Sequence, residues 1–135
     1  MTAETIIAFQ GVSKIYQEKT VVDQVSLAIH KGEFITILGT SGSGKTTTLK
    51  MINRLVEPTS GQILFEGEDL SQLDPVSLRR RIGYVVQQIG LFPHMTIAEN
   101  IATVPKLLKW DSVEIADRVK ELMNLFLRIN TFRQA

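Results

Sequence analysis

Eight consecutive residues, Gly39-Thr40-Ser41-Gly42-Ser43-Gly44-Lys45-Thr46, constrain the fold of this chain more than any other feature. They fit the pattern G-x-x-x-x-G-K-[ST] in full. The β-branched run Phe34-Ile35-Thr36-Ile37-Leu38 precedes them and a helical pattern follows. Glycine accepts positive φ and lets other groups approach a backbone that a Cβ would shield. Such a loop turns successive N–H groups, from about Gly42 to Thr47, toward one point at a helix N-terminus, where the helix dipole favours an anion. The chemistry predicted is phosphate binding. Lys45 supplies a point charge to the β- and γ-phosphates, and the Thr46 hydroxyl is placed to ligate Mg²⁺. A G-x-G-x-x-G dinucleotide fingerprint is the weaker reading. It has no use for the Lys-Thr pair, and no acidic residue sits about 20 residues on at a strand end.

The residues around the loop predict an α/β chain. Residues 6–9 are apolar, Gly11 punctuates, and residues 12–16 and 25–29 read as strands. Residues 34–38 fit a strand buried on both faces, as in a parallel sheet. A helix is expected from Lys45 to about Val56, stopped by Pro58. Residues 62–65 read as a strand, and residues 67–69 turn the chain. Asp74 and Pro75 read as the N-cap and first residue of a short helix through Arg81. Arg79-Arg80-Arg81 looks like the solvated end of that helix. Residues 82–87 read as another apolar strand. Beyond Gly90 the pattern turns helical, at residues 96–104 and again at 112–127. The second of these helices opens on Asp111 with Glu114 three positions on, close to a capping box. Its stripe of Val113, Ala116, Val119, Leu122, Met123 and Phe126 reads as core.

Composition narrows the function classes. The net charge is +1 over 135 residues, with 44% hydrophobic and 21% charged residues. That balance fits a folded chain and argues against a broad basic face for nucleic acid, so no nucleic-acid partner is expected. There is no cysteine, hence no disulfide and no thiolate metal site. The opening residues have neither a basic segment nor an apolar core of a leader, and no apolar run nears the ~20 residues that span a bilayer.

The loop alone does not separate kinases, GTPases and transport ATPases. A second string does. Ile82-Gly83-Tyr84-Val85-Val86-Gln87-Gln88-Ile89-Gly90-Leu91-Phe92-Pro93-His94 resembles the Q-loop of ABC ATPases. In that family a glutamine ends a strand and a Leu-(Phe/Tyr)-Pro segment follows four residues later. Gln87 and Leu91 have that spacing. The resemblance implies that Gln87 reaches the metal or the attacking water, a task suited to a neutral, two-ended carboxamide. It also implies that residues 92–100 face a transmembrane partner, and that His94 belongs to this segment rather than to a metal site. Gly11-Val12-Ser13-Lys14-Ile15-Tyr16 is similar to the family's first strand, so Tyr16 would stack on adenine and Val21 would support it. Outside that frame, a tyrosine near a strand end is an amphipathic packing residue. Trp110 reads as a packing residue.

The strings Thr46-Thr47-Thr48-Leu49-Lys50-Met51-Ile52-Asn53-Arg54 and Ile101-Ala102-Thr103-Val104-Pro105 resemble the subgroup that powers import of quaternary-amine osmoprotectants such as glycine betaine, carnitine and choline. The resemblance runs from residue 6 to about 125. It implies a P-loop NTPase fold of the ABC ATPase type in truncated form. Residues 1–90 would be the N-terminal part of the nucleotide-binding core, and residues 91–135 the beginning of the helical subdomain. It implies ATP and Mg²⁺ as ligands and a cytoplasmic location, peripheral on the inner face of the membrane. The implied partners are a transmembrane permease subunit, a second ATPase subunit and, indirectly, an extracytoplasmic substrate-binding protein.

The family's Leu-Ser-Gly-Gly-Gln signature, its strand ending Asp-Glu and its switch histidine are not among these 135 residues. The general base is that missing glutamate, so no catalytic residue is assigned and the expectation is ATP binding without turnover. The strand at residues 34–38 would also lack a neighbour and expose an aggregation-prone edge. Two rivals remain open: an inert ATP-binding remnant of a broken gene, and another P-loop enzyme such as a small kinase. A GTPase is excluded by the absence of an Asn-Lys-x-Asp base reader.

Overall fold

The first structural decision is made at Gln17 and Glu18. Both have positive φ, 44° and 68°, as a two-residue type I′ turn requires. They join β1 (Thr5–Tyr16) to β2 (Lys19–His30), with Tyr16 paired to Lys19 and Thr5 to His30. The computed structural model describes residues 3–88 and 90–133. The chain divides into two compact units, Met1–Ile82 and Gly83–Ala135.

In the first unit β3 (Ser60–Phe65) pairs antiparallel with β1, and β4 (Glu68–Asp69) closes a four-stranded sheet of order β2-β1-β3-β4. Gly11 does not break β1, as the sequence pattern suggests. It forms a bulge at φ 56°, where the pairing slips on both sides of the strand. The slip lets Phe9 and Val12, three residues apart, both be buried; strict alternation would put them on opposite faces. β3 crosses tightly here. A Cβ on Gly61 would overlap the Gly11 carbonyl, so this crossing admits only glycine.

α1 (Lys45–Ile52) follows the glycine loop, and a 3₁₀ turn (Leu70–Gln72) leads into α2 (Pro75–Arg81). Asp74 caps α2 as expected: its Oδ2 accepts from the Ser77 N–H at 2.8 Å, with Pro75 first in the helix. That backbone bond, before all else, holds the exposed Asp74 carboxyl below its ordinary range. Phe9, Val12, Val22, Met51, Ile63, Phe65, Leu70 and Leu78 form one core between sheet and helices.

α1 stops four residues short of the expected Val56. Arg54 enters the left-handed region at φ 55°. The Leu55 N–H then donates to the Lys50 carbonyl at 2.9 Å and the Arg54 N–H to Met51 at 3.3 Å. This is a Schellman ending with arginine where glycine is usual. A side chain at that φ costs roughly 1–2 kcal/mol, so other contacts must hold it. The arginine cluster supplies one of them and is not merely a solvated end. Arg79 donates to the Asn53 and Arg54 carbonyls, and Arg81 lies 4.7 Å over the Phe65 ring while pairing with Glu66.

Two expected strands do not form. Residues 34–38 and 82–87 have no strand partner among the described residues. Phe34, Leu38 and Val85 are 92%, 87% and 95% exposed. The physical reason is that a parallel strand is stable only between hydrogen-bonded neighbours and under covered faces. The β-branched content of these runs is a preference for such a place, and does not create it.

In the second unit α3 (Ile97–Leu107) and α4 (Ser112–Arg133) pack on one another. They face each other across an open groove lined by Ala98, Ala102, Ile115, Val119 and Met123. The stripe on α4 is mostly not core: Val119 and Leu122 are half-buried, while Val113, Ala116, Met123 and Phe126 are exposed; Ile115, outside the predicted stripe, is half-buried. One short helix cannot cover a stripe that wide. Among the described residues no helix is long and apolar enough to cross a membrane.

Candidate functional site

The glycine loop is the first unit's chemically distinctive feature, and local forces explain its shape. The Ser43 N–H donates to the Thr40 carbonyl at 3.1 Å and closes a turn over Ser41 and Gly42, with Gly42 at φ 78°. Gly44 is the N-cap of α1 at φ 90°, with no side-chain cap. A Cβ there would lie 2.5 Å from the Val21 carbonyl oxygen, so the helix start sits directly against β2. The Thr48 N–H and Oγ1 both donate to the Gly44 carbonyl, at 2.9 and 2.8 Å. Thr48 and Met51 are the buried residues of α1 and fix its rotation on the sheet.

That rotation leaves the Thr46 side chain on the exposed side and Lys45 and Thr47 half-exposed. The Lys45 ammonium folds back over the loop and donates to the carbonyls of Gly39 and Thr40. The first turn of α1 holds no carboxylate, so no fixed negative charge competes for its N–H groups or for Lys45. Just upstream, the His30 backbone N–H, aided by its ring nitrogen, holds the exposed Glu33 carboxyl below its ordinary range. Gly39, Thr40, Ser41, Gly42, Ser43, Gly44, Lys45, Thr46 and Thr47 thus form one continuous loop and helix start. The stretch carries five hydroxyls, an ammonium and the amides of a helix start, the chemistry that suits a polyphosphate.

Tyr16 ends β1 at the tip of the hairpin and is 43% exposed, with the Lys14 ammonium 4.9 Å from its ring centroid. β2 runs from that tip past Gly44 at Val21, so the hairpin carrying Tyr16 borders the loop. An exposed ring in this position can offer a face to a planar base. Gln87 belongs to the second unit, where it is exposed at a bend. Among the described residues no group of three or more His, Asp or Glu is gathered to hold a metal. A metal here would depend on the Thr46 hydroxyl together with the ligand's own oxygens, a donor set that fits a hard cation keeping several waters.

Sequence reasoning missed Asn100. Its Oδ1 accepts from the Phe92 N–H at 2.8 Å, and its Nδ2 points at the carbonyls of Phe92, Met95 and Thr96, 2.9–3.3 Å away. One carboxamide therefore ties residues 92–96 to the start of α3. The capping box of Thr96 and Glu99 completes the knot. The pattern Thr96-x-x-Glu99 carried that signal; nothing in sequence marks Asn100 as a clamp. Asn100→Ala is expected to leave the Phe92 amide without its acceptor and to loosen the segment by about 1–3 kcal/mol. Hydrogen exchange at the Phe92 amide should accelerate at least tenfold, and unchanged protection would show that the carboxamide does not hold the segment.

Comparison with known proteins gives concordant matches. A family model described as ABC transporter matches residues 22–134. A Bacillus subtilis (strain 168) protein, "Glycine betaine/carnitine/choline transport ATP-binding protein OpuCA", is 56% identical over 121 residues, covering 89% of this chain and 32% of its own length. The Escherichia coli (strain K12) "Glycine betaine uptake system ATP-binding protein YehX" is 53% identical over 120 residues, 89% of this chain and 39% of that protein. Among solved structures, a bacterial Atm1-family ABC exporter with ATP bound aligns with a TM-score of 0.67 at 30% identity. The alignment covers 76% of this chain and 18% of that one. The chain therefore spans about a third of the length of the relatives it matches.

Proposed function

The chain belongs to the ABC transporter family, and from that premise we propose that it is the front part of an importer's ATP-binding subunit, serving uptake of a quaternary-amine osmoprotectant such as glycine betaine. The observation that carries the reading is the loop of residues 39–47 at the start of α1, with the Lys45 ammonium held on the loop's own carbonyls and Thr46 exposed beside it. The names of its relatives support the cargo class. Residues 1–90 are assigned to the nucleotide-binding core and residues 91–135 to the beginning of the helical subdomain.

In this reading the amides of residues 42–47 bind the phosphate oxygens and Lys45 exchanges the Gly39 and Thr40 carbonyls for the β- and γ-phosphates. Tyr16 stacks on adenine. Thr46, with Gln87, would hold Mg²⁺, which when bound neutralises charge on those phosphates. To do this the Ser43 N–H gives up the Thr40 carbonyl, as the Lys45 ammonium does. The subunit works beside a transmembrane permease, paired with a second ATPase subunit and served by an extracytoplasmic binding protein. It lies on the cytoplasmic face of the membrane.

The 135 residues by themselves hold no group assigned to activate water, so Mg-ATP is bound and not turned over. Calorimetric titration of the purified chain should give one Mg-ATP per chain, with phosphate release no faster than in buffer. Steady hydrolysis that disappears in Lys45→Ala would refute the second half of the proposal. Absence of binding would refute the whole.

A further inference from the structure

The far end of α1 is held in a way that bears on its near end. Arg79 reaches it from α2: Nε donates to the Asn53 carbonyl at 3.0 Å and Nη2 to the Arg54 carbonyl at 2.7 Å. Those are the C-cap carbonyl and the one after it, groups that no longer have a partner within the helix. A planar guanidinium serves both at once in fixed geometry, which an ammonium does not. Its charge also complements the negative end of the helix dipole. Arg54 answers in the opposite direction. Its Nη1 donates to the Leu73 carbonyl at 2.7 Å, and it pairs with Glu57 at 2.8 Å. Two arginines thus lace residues 53–57 to residues 73–79.

α1 has eight residues and is about 12 Å long. A helix that short does not persist on its own in water. Its N-terminus has no side-chain cap and rests on the contact of Gly44 with Val21. Its C-terminus runs through a left-handed arginine that its own backbone disfavours. If the carbonyls of Asn53 and Arg54 lose Arg79, the last turn frays. In a two-turn helix the fraying reaches the first turn, where residues 45–47 present their amides.

We propose that Arg79 is a positioning residue for the phosphate site, acting through the two carbonyls that end α1. The inference rests on the nucleotide-binding reading of the loop. Arg79 touches no ligand in it; its effect is on how accurately the first-turn amides are held.

The test is calorimetric titration of the full chain with Mg-ATP, because calorimetry reports affinity and stoichiometry separately. Arg79→Ala is expected to weaken Kd about tenfold, the worth of a hydrogen-bonded charge, with stoichiometry kept near one. Arg79→Lys should fall between it and the wild type. Arg80→Ala, on the neighbouring residue, should bind as the wild type does. An unchanged Kd overturns the proposal, whether stoichiometry holds or drops, since a drop in stoichiometry alone means only that fewer molecules fold. Should Arg79→Ala fail to fold, the Kd of Arg79→Lys decides in the same way. A wild-type chain that does not bind Mg-ATP, or binds it equally well as Lys45→Ala, instead refutes the nucleotide reading itself. Binding that needs Lys45 but ignores Arg79 refutes the positioning role alone.

Discussion

Lys45→Ala is expected to lower affinity for Mg-ATP about 100-fold while leaving the melting temperature almost unchanged. Among the described residues the ammonium bonds only to the Gly39 and Thr40 carbonyls, on an accessible loop outside the core. Removing it frees two carbonyls that water can reach, so the loss in stability should stay within about 0.5 kcal/mol. The ligand loses far more. A charged hydrogen bond to phosphate contributes about 1.5–3 kcal/mol, and no other cation stands in the first turn of α1 to replace it. Two orders of magnitude correspond to about 2.8 kcal/mol. Titration of both proteins, each checked by its melting curve, separates the two effects. Equal affinities would mean that Lys45 takes no part in binding, and would refute the nucleotide reading of the loop.

Gly44→Ala should do the reverse and damage fold and site together. The new Cβ meets two costs: a left-handed backbone at φ 90°, and the Val21 carbonyl 2.5 Å away with a Val22 methyl at 3.2 Å. The first costs roughly 1–2 kcal/mol and the second roughly 1–3 kcal/mol. Together they amount to about 3 kcal/mol, a large part of the 5–15 kcal/mol that holds an ordinary domain. The helix start would have to leave β2, taking the first-turn amides with it. Gly42→Ala is the discriminating control. Gly42 has nearly the same dihedral, φ 78°, but nothing within 4 Å of its Cβ position, so only the backbone cost applies. Chemical denaturation should rank the wild type above Gly42→Ala and Gly42→Ala well above Gly44→Ala. Equal losses in the two variants would show that the approach to Val21 carries no weight.

Much of this was legible in the sequence because the relevant forces are local. The loop announces itself through glycine and a Lys-Thr pair. Asp74 and Pro75 announce α2, and Asp111 announces α4, whose Val113 N–H it receives at 3.0 Å. What the sequence did not carry was anything depending on a distant partner. Residues 34–38 and 82–87 have the composition of strands, yet a strand is a relation between segments. The end of α1 was misplaced because Arg54 in a glycine's conformation is held by Leu73 and Arg79, about twenty residues on. β1 was read as two pieces because the bulge at Gly11 resets the phase of its alternation. Asn100 was invisible for a similar reason: a clamp is defined by the four backbone groups it meets. Of the candidate site, the loop was readable as a string, while the reason Gly44 must be glycine needed the position of Val21.

The exposed run Phe34-Ile35-Thr36-Ile37-Leu38 has a consequence outside binding and stability. Five apolar or β-branched residues without charge, uncovered on an otherwise folded unit, make the kind of segment that chaperones hold and proteases enter. Cells triage chains according to how long such surface stays open. The amount of this chain present at steady state should therefore follow how fast that segment is covered, more than how tightly the rest of the unit is folded. A nucleotide would protect the chain from turnover only so far as its binding at residues 39–47 also orders the five residues before them.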